Sequence, residues 1–278
     1  MKILITGASG MLGHDLTKVL KNHELFTYNS KTLDITDEKK VKDEVSKVKP
    51  DIIINPAAYT DVDGCETNYE DAYNVNAFGV KNLALISKEL NIPLIHISTD
   101  YVFDGKKTTP LVEDDNIGPE TAYGKTKLAG EKFITEILDK YFILRTAWLY
   151  GSNGNNFVET MLKLSETNDS LNVVNDQRGC PTYTHDLAIA ISELLDSDKY
   201  GIYHLTNAGE CTWFEFASKI FELSNIDIEL NPVSTDEFPR PAPRPKYSVL
   251  SNQKWADNGF TPLRNYEEAL KEYLSNRG

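Results

Sequence analysis

The first thirteen residues, MKILITGASGMLG, place a short apolar run before three glycines at positions 7, 10 and 13. The run at 3–6 predicts a buried β-strand, and residues 12–20 carry apolar side chains at helical spacing. Glycines between a strand and a helix permit a tight turn, close approach of a pyrophosphate and close packing of the helix on the strand. The helix N-terminus adds free N–H groups for the anion. We therefore predict a dinucleotide-binding loop. The alternative is a structural glycine turn. The spacing is G-x-x-G-x-x-G and not the G-x-G-x-x-G of the simpler dinucleotide fingerprint.

Strand-like and helical segments alternate from this loop to residue 150. The predicted strands lie at 3–6, 24–28, 51–55, 93–98 and 141–146, and the predicted helices at 12–20, 38–48, 72–90 and 120–138. Short strands separated by helices imply parallel pairing through crossover helices. A nearly continuous apolar strand such as 51–55 suits a sheet that is covered on both faces. We predict an α/β fold with a doubly wound parallel (Rossmann) sheet.

The texture of the sequence changes after residue 150. A Gly/Asn-rich loop at 151–156 precedes predicted helices at 157–166, 185–195, 213–223 and 266–274 and predicted strands at 171–174 and 201–205. Five prolines between 232 and 245 predict an extended loop. We predict a dinucleotide-binding Rossmann domain over 1–150. Residues 151–278 are expected to form mainly a smaller C-terminal substrate-binding lobe, from which some segments return to the Rossmann domain.

The composition is that of an ordinary globular protein, with 40% hydrophobic and 26% charged residues among 278. A net charge of −13 disfavours nonspecific binding to nucleic acid or anionic lipid. Cys65, Cys180 and Cys211 are scattered, so neither a disulfide framework nor a zinc site is indicated. The sequence shows no signal-peptide pattern and no apolar run long enough for a membrane span. We expect a cytoplasmic protein with reduced thiols and no nucleic-acid or membrane partner.

The residues after the second strand bear on the choice of cofactor. An acidic residue there would hold the ribose hydroxyls and repel a 2′-phosphate, but residues 28–31 read YNSK. Ser30 and Lys31 could receive a 2′-phosphate, although Lys31 could equally be a solvated loop cation. Asp34 could accept a hydrogen bond from the adenine amino group, or Asp34 or Asp37 could cap the next helix. We predict NADPH as the cofactor, with NADH also accepted.

Tyr123 and Lys127 are four residues apart on the predicted helix 120–138 and therefore share one face. A nearby lysine cation lowers the pKa of a phenol, which would make Tyr123 a general acid and base near neutral pH. The motif alone is common, and its simplest explanation is a surface tyrosine beside a solvated lysine. Its combination with the glycine loop and with a strand that ends at Ser98-Thr99 favours catalysis.

Seven stretches of the chain are together similar to the dTDP-4-dehydrorhamnose reductase family, a branch of the extended short-chain dehydrogenases/reductases. They are TGASGMLG at 6–13, LDITD at 33–37, NPAAYTDVDGCE at 55–66, STDYVFDG at 98–105, YGKTKLAGE at 123–131, LRTAWLYG at 144–151 and DQRGCPT at 176–182. The resemblance extends over essentially the whole chain. It implies reduction of the C4 keto group of dTDP-4-dehydro-6-deoxy-L-mannose by NAD(P)H, which gives the dTDP-L-rhamnose used for cell-surface polysaccharides.

The resemblance also implies roles for individual residues. Tyr123 would protonate the sugar oxygen, Thr99 would hydrogen-bond that oxygen, and Lys127 would hold the nicotinamide ribose. The residues expected to contact the cofactor are Gly7, Ser9, Gly10, Met11, Leu12, Gly13, Ser30, Lys31, Asp34, Ile35, Ala57, Ala58, Tyr59, Tyr123 and Lys127. The residues expected to contact the substrate are Val62, Thr99, Tyr101, Trp148, Arg240 and Arg244. The aromatic side chains could instead belong to the core, and the two arginines could face solvent.

Other functions on the same scaffold remain as alternatives. Related dehydratases carry Thr-Asp-Glu where this chain has Thr99-Asp100-Tyr101, and the missing acid disfavours that chemistry. An epimerase would use the same Tyr–Lys pair and retain its cofactor, whereas a non-catalytic subunit would resemble the regulatory β subunit of methionine adenosyltransferase. Some relatives bind magnesium at a dimer interface, and Asp15 and Glu268 lie in comparable stretches, but we predict no metal site. Monomer and homodimer both stay open.

Overall fold

The structure is a computed structural model that describes residues 1–277. The strands are β1 (Lys2–Ile5), β2 (Glu24–Thr27), β3 (Ile52–Asn55), β4 (Leu94–Thr99), β5 (Tyr141–Thr146), β6 (Leu149–Tyr150), β7 (Ser170–Val174), β8 (Arg178–Gly179), β9 (Thr182–Tyr183), β10 (Gly201–His204), β11 (Cys211–Thr212) and β12 (Glu229–Val233). The α-helices are α1 (Met11–Val19), α2 (Glu38–Val48), α3 (Gly64–Thr67), α4 (Tyr69–Tyr73), α5 (Val80–Leu90), α6 (Ala122–Ile137), α7 (Phe157–Ser165), α8 (Thr184–Glu193), α9 (Trp213–Ser224), α10 (Gln253–Asp257) and α11 (Tyr266–Ser275). The strands predicted before residue 150 agree with β1 to β5 to within one residue at either end.

The main sheet has the strand order β10-β5-β4-β3-β1-β2, and every neighbouring pair is parallel. The predicted doubly wound parallel sheet is therefore confirmed. All residues of β3 and β4 are buried, as expected for strands covered on both faces. The strand order reverses at β1, and ligands of such sheets bind beyond the carboxyl ends of the strands at that point. Thr6, Asn55 and Thr99 lie at those ends.

Apolar cores cover both faces of this sheet. On one face α1 packs against α8, and Leu16 and Leu187 belong to the same buried cluster. On the other face α2, α5 and α6 contribute Val45, Leu83 and Ile134. The burial of these side chains is the main force that holds the helices to the sheet.

Residues after 150 contribute to two parts of the molecule. The helix α8 and the strand β10 belong to the sheet domain. A separate core between α7, α9 and α11 contains Val158, Phe216 and Tyr266, and β7 and β12 pair beside it. Trp148 packs against this second core from the end of the sheet domain. Trp148, which follows β5, therefore connects the end of the sheet domain to the second core.

Two predicted segments differ from the structure. The region predicted as one helix over 72–90 begins at Tyr69 and contains a π-helical stretch, Asn74–Gly79, between α4 and α5. The side chain of Asn76, within this stretch, bonds both backbone groups of Tyr59, at 2.8 and 3.0 Å. The predicted loop 232–245 begins inside β12, which tolerates Pro232 because it pairs only with β7.

Candidate active site

A cleft of about 810 Å³ opens at the carboxyl ends of β1, β3, β4 and β5. It brings together most of the residues that the sequence singled out. Those that line it are Gly7, Ser9, Gly10, Met11, Leu12, Gly13, Ser30, Asp34, Ile35, Ala57, Ala58, Tyr59, Val62, Thr99, Tyr101, Tyr123, Lys127 and Trp148. Lys31, Arg240 and Arg244 are not among the lining residues. Most of the predicted cofactor and substrate positions thus share one continuous cavity.

The glycine loop presents the start of α1 to this cleft. Gly10 caps the helix with extended backbone and no side-chain hydrogen bond, and the first turn carries no acidic residue. The helix approaches the loop closely, because a β-carbon on Gly13 would lie 2.4 Å from the Gly7 carbonyl oxygen. Free N–H groups at a helix N-terminus form a site suited to a phosphate.

The structure of the segment after β2 shows whether Asp34 or Asp37 caps α2. Asp37 is the N-cap of α2, since its Oδ1 accepts a hydrogen bond from the Lys40 N–H at 3.0 Å. Asp34 instead accepts from the N–H and hydroxyl of Thr36, at 2.9 and 2.8 Å, and lines the cleft. Ser30 also lines the cleft, whereas the neighbouring Lys31 is solvent-exposed.

Tyr123 and Lys127 lie on the first two turns of α6, which begins at a Thr121 cap. Lys127 is buried, and its Nζ donates to the Ile97 carbonyl oxygen at 2.6 Å. Burial lowers the pKa of Lys127 to about 8. The pKa of Tyr123 is raised, chiefly by burial and then by the Asp100 carboxylate. The lysine was expected to lower the pKa of Tyr123, but burial and the Asp100 carboxylate raise it instead.

Asp100 is a buried acid in the cleft that the sequence did not single out as a site residue. Its Oδ1 accepts a hydrogen bond from the Thr99 hydroxyl at 2.9 Å, and the Thr99 oxygen accepts from the Tyr101 N–H at 3.2 Å. Burial raises the pKa of Asp100 to about 6. The Tyr101 and Tyr123 rings meet edge to face at 5.6 Å. The position of Asp100 directly after Thr99, in the sequence TDY at 99–101, is the signal that could have identified this acid.

The loop 151–156 closes over the glycine loop from the second half of the chain. The Asn153 amide donates to the Ser9 carbonyl oxygen at 2.8 Å, and Asn153 to Asn155 line the cleft. A β-carbon on Gly154 would lie 2.7 Å from Met11 Cγ. The sequence predicted only a loop here, because a contact between residues so far apart along the chain has no local signal.

Arg240 and Arg244 lie near the cleft, where both are paired with one carboxylate. Asp63 Oδ2 accepts from Arg240 Nε at 2.9 Å, and Asp63 Oδ1 accepts from Arg244 Nη2 at 3.0 Å. Arg244 also lines an adjacent cavity of about 410 Å³ that shares Tyr101 with the cleft. Their predicted contact with a substrate diphosphate stays a prediction.

Asp15 and Glu268, the two residues considered as possible metal ligands, lie on different helices, α1 and α11. Asp15 is buried between α1 and α8, where its Oδ2 accepts a hydrogen bond from the Thr184 hydroxyl at 2.6 Å. Glu268 lies in the first turn of α11. Within residues 1–277, no three His, Cys, Asp or Glu side chains are grouped so as to hold a metal ion. Over the same range, no helix has both the length and the apolar character needed to cross a bilayer.

Comparison with known proteins gives matches over nearly the full chain. Residues 1–277 match the family described as the RmlD substrate binding domain. The spore coat polysaccharide biosynthesis protein SpsK of Bacillus subtilis is 46% identical, over 99% of this chain and 98% of its own. The dTDP-4-dehydrorhamnose reductase of Clostridium acetobutylicum superposes with a TM-score of 0.97 at 48% identity, covering 99% of each chain. That of Bacillus anthracis, solved in complex with NADP, gives 0.96 at 43% identity, over 99% of this chain and 98% of its own.

Proposed function

The chain belongs to the RmlD substrate binding domain family, and from this we propose that it is an NADPH-dependent dTDP-4-dehydrorhamnose reductase. The reaction would be reduction of the C4 keto group of dTDP-4-dehydro-6-deoxy-L-mannose to dTDP-L-rhamnose. The observation that carries the proposal is the meeting of Thr99, Tyr123 and Lys127 with the glycine loop in one cleft. Full-length relatives named as this reductase, one of them with NADP, support it.

The residues of the cleft suit a nicotinamide dinucleotide. The start of α1, which has no side-chain cap, offers N–H groups to a pyrophosphate, and the close approach at Gly13 brings the helix to the loop. Ser30 and Asp34 line the cleft and would contact the adenosine, and residues 28–31 after β2 contain no acid that would repel a 2′-phosphate. We therefore propose NADPH as the preferred cofactor, with NADH also accepted.

A bound NADPH supplies the hydride that adds to the sugar carbonyl carbon. Tyr123 donates the proton to the carbonyl oxygen as negative charge develops there. Because burial raises its pKa, Tyr123 keeps that proton at neutral pH until the reaction needs it. Thr99 donates a hydrogen bond to the same oxygen, which stabilises the transition state. Lys127 holds the nicotinamide ribose from the base of the cleft.

Trp148 and Tyr101 are the residues we assign to the sugar. Both line the cleft beside Tyr123, and Val62 lines it from the loop after β3. Aromatic faces suit the apolar C–H surface of a sugar, whereas the arginines held by Asp63 suit the diphosphate.

The chain also suits a cytoplasmic reaction. Cys65, Cys180 and Cys211 are buried and unpaired among the described residues. Thiols of this kind persist in a reducing compartment.

The test is an assay of the purified chain with dTDP-4-dehydro-L-rhamnose, followed at the nicotinamide absorbance with NADPH and with NADH in parallel. We expect stoichiometric oxidation of the reduced cofactor and formation of dTDP-L-rhamnose. An epimerase would instead carry tightly bound cofactor through purification and consume none. No turnover of any keto sugar would contradict the proposal and favour a regulatory subunit.

A further inference from the structure

A line of four buried polar side chains runs from Lys127 across the main sheet. Lys127 Nζ lies 3.3 Å from His96 Nε2, and His96 Nδ1 lies 3.0 Å from Asn55 Nδ2. Asn55 Oδ1 accepts a hydrogen bond from the Thr6 hydroxyl at 2.5 Å. The line therefore crosses α6, β4, β3 and the end of β1. All four residues are at most 1% exposed.

The donors and acceptors of this line are linked to one another. Burial and then the Lys127 charge lower the pKa of His96 well below its usual value. The ring is therefore neutral, with a proton on one nitrogen only. If Asn55 donates to Nδ1, then Nε2 carries the proton and faces Lys127 as a donor. Such a donor matches a neutral lysine amine and opposes an ammonium.

The reverse arrangement uses the same atoms. A half-turn of the Asn55 amide exchanges its oxygen and nitrogen, which occupy nearly the same space. Its oxygen then accepts from His96 Nδ1–H, and His96 Nε2 becomes an acceptor for the Lys127 ammonium. The amide nitrogen in turn donates to the Thr6 oxygen. The ammonium requires this second arrangement, whereas the amine can accept or donate and is compatible with both. Only the first arrangement keeps the Thr6 hydroxyl bonded to the Asn55 oxygen, so the amine favours the first.

We propose that Thr6, Asn55 and His96 form a hydrogen-bond switch that accommodates Lys127 as either an ammonium or an amine. The three are positioning residues, and the inference rests on the proposed function, in which Lys127 holds the nicotinamide ribose. When Lys127 loses a proton, His96 keeps one proton and only changes the nitrogen that carries it. Without the switch, the arrangement with a proton on Nε2 would set one buried donor against the Lys127 ammonium, which is unfavourable.

The surroundings of Lys127 make both states accessible. Burial lowers its pKa to about 8, and Glu131 on the next turn of α6 opposes that shift. Glu131 is itself paired with Arg145 of β5 at 2.8 Å. Asp100 and Tyr101 after β4 and Cys65 of α3 are the charged or titratable neighbours that act on Tyr123.

The direct test is nitrogen NMR of the whole protein labelled at its histidines, between about pH 6 and 10. The His96 signals are assigned by their loss in His96→Gln. We expect the His96 proton on Nδ1 below the Lys127 titration and on Nε2 above it, with a midpoint near the pKa of about 8. Lys127→Met should abolish the change. A single tautomer across this range in the parent protein would overturn the proposal.

A second test uses the dissociation constant of NADPH as a function of pH. His96→Leu removes both ring nitrogens, so the Lys127 ammonium loses an acceptor. The midpoint of the pH dependence should therefore fall by about one pH unit. His96→Gln, whose amide can donate or accept, should keep the midpoint within about 0.3 unit of the parent. An unchanged midpoint in folded His96→Leu would contradict the proposal. Neither test uses a sugar, so failure to reduce a keto sugar would count against the proposed function alone.

Discussion

Trp148 lies directly against Gly179, where a β-carbon would stand 2.6 Å from Cε2 of the indole. The indole also stacks on Trp213, with ring centroids 3.4 Å apart and planes 7° from parallel. The backbone of Trp148 is in the left-handed region, with φ of 48°. The ring that we assign to the sugar is therefore held by contacts with both Gly179 and Trp213.

Gly179→Ala should displace the Trp148 ring, because its methyl group would overlap the indole. We expect the KM for the keto sugar to rise by about tenfold or more, while the Kd for NADPH stays within about twofold. Steady-state kinetics and a fluorescence titration measure the two quantities. Gly118→Ala is the matched control, since its β-carbon would meet only Asp104 Cβ at an ordinary 3.5 Å. An unchanged KM in Gly179→Ala would show that Trp148 does not shape the sugar site.

The glycine loop offers a pair of substitutions that differ in strain. A β-carbon on Gly13 would lie 2.4 Å from the Gly7 carbonyl oxygen, whereas one on Gly10 would lie 3.4 Å from it. We expect Gly13→Ala to lose about 2 kcal/mol or more of unfolding free energy, since helix and loop must separate. Gly10→Ala should fold normally and weaken NADPH binding, because its methyl group enters the pyrophosphate approach. Urea unfolding and NADPH titration of both variants provide the check, and equal stability of the two would refute the packing argument.

Tyr123→Phe removes one hydroxyl and leaves the shape of the side chain nearly unchanged. We expect kcat to fall by about 10²–10⁴, with unchanged circular dichroism and NADPH affinity. Thr99→Val should have a smaller effect, because Thr99 stabilises charge without transferring a proton. The comparison requires kcat under conditions in which chemistry limits turnover. Near-normal kcat in folded Tyr123→Phe would remove Tyr123 from the role of acid.

The cofactor preference tests Ser30 and Lys31. We expect NADPH to bind at least as well as NADH, and Lys31→Ala to weaken NADPH selectively by about threefold to tenfold. Lys39→Ala is the control, because Lys39 is also exposed but lies on α2. Titration of each variant with both cofactors decides the matter. If the parent prefers NADH by more than about tenfold, or about 1.4 kcal/mol, the prediction that Ser30 and Lys31 receive a 2′-phosphate is wrong.

His204 should make the protein sensitive to acid. Burial, and then the Arg145 charge, lowers its pKa to about 3, so the folded protein holds the neutral ring. In the unfolded chain the same ring has a pKa near 6.5. The stabilisation that comes from keeping the ring neutral is therefore complete above that pH and declines as the pH falls towards 3. In His204→Asn, the amide can replace Nδ1 as donor to the Leu111 carbonyl oxygen. We expect the loss of unfolding free energy between pH 7 and 4.5 to shrink by about 1–3 kcal/mol.

Urea unfolding at the two pH values measures this difference, and His23→Asn is the control because His23 is partly exposed. The buried Asp100 acts in the opposite direction, since its raised pKa favours the folded state at lower pH. Its contribution is common to both variants and cancels in the comparison. The same loss in His204→Asn as in the parent would assign the acid sensitivity to other groups.

The secondary structure of the sheet domain was predictable because its signals are local. Continuous apolar runs mark β3 and β4, which are buried on both faces, and helical spacing marks α1, α2 and α6. The π-helical stretch Asn74–Gly79 was missed because its sequence has the same periodicity as the helices around it. What distinguishes it is the bond from Asn76 to Tyr59, seventeen residues away in sequence.

The sequence by itself determined the glycine loop, the order of strands and helices, and the spacing that places Tyr123 and Lys127 on one face of α6. These depend on backbone preferences and on periods of two to four residues, which act between neighbours in the chain. Only the tertiary structure decided that Lys127 bonds to β4 beside His96 and that Asp63 holds Arg240 and Arg244. Those contacts join residues 30 to 181 positions apart, and burial lowers the pKa of Lys127. Such distances and desolvation arise from packing of the whole chain, which no local pattern records.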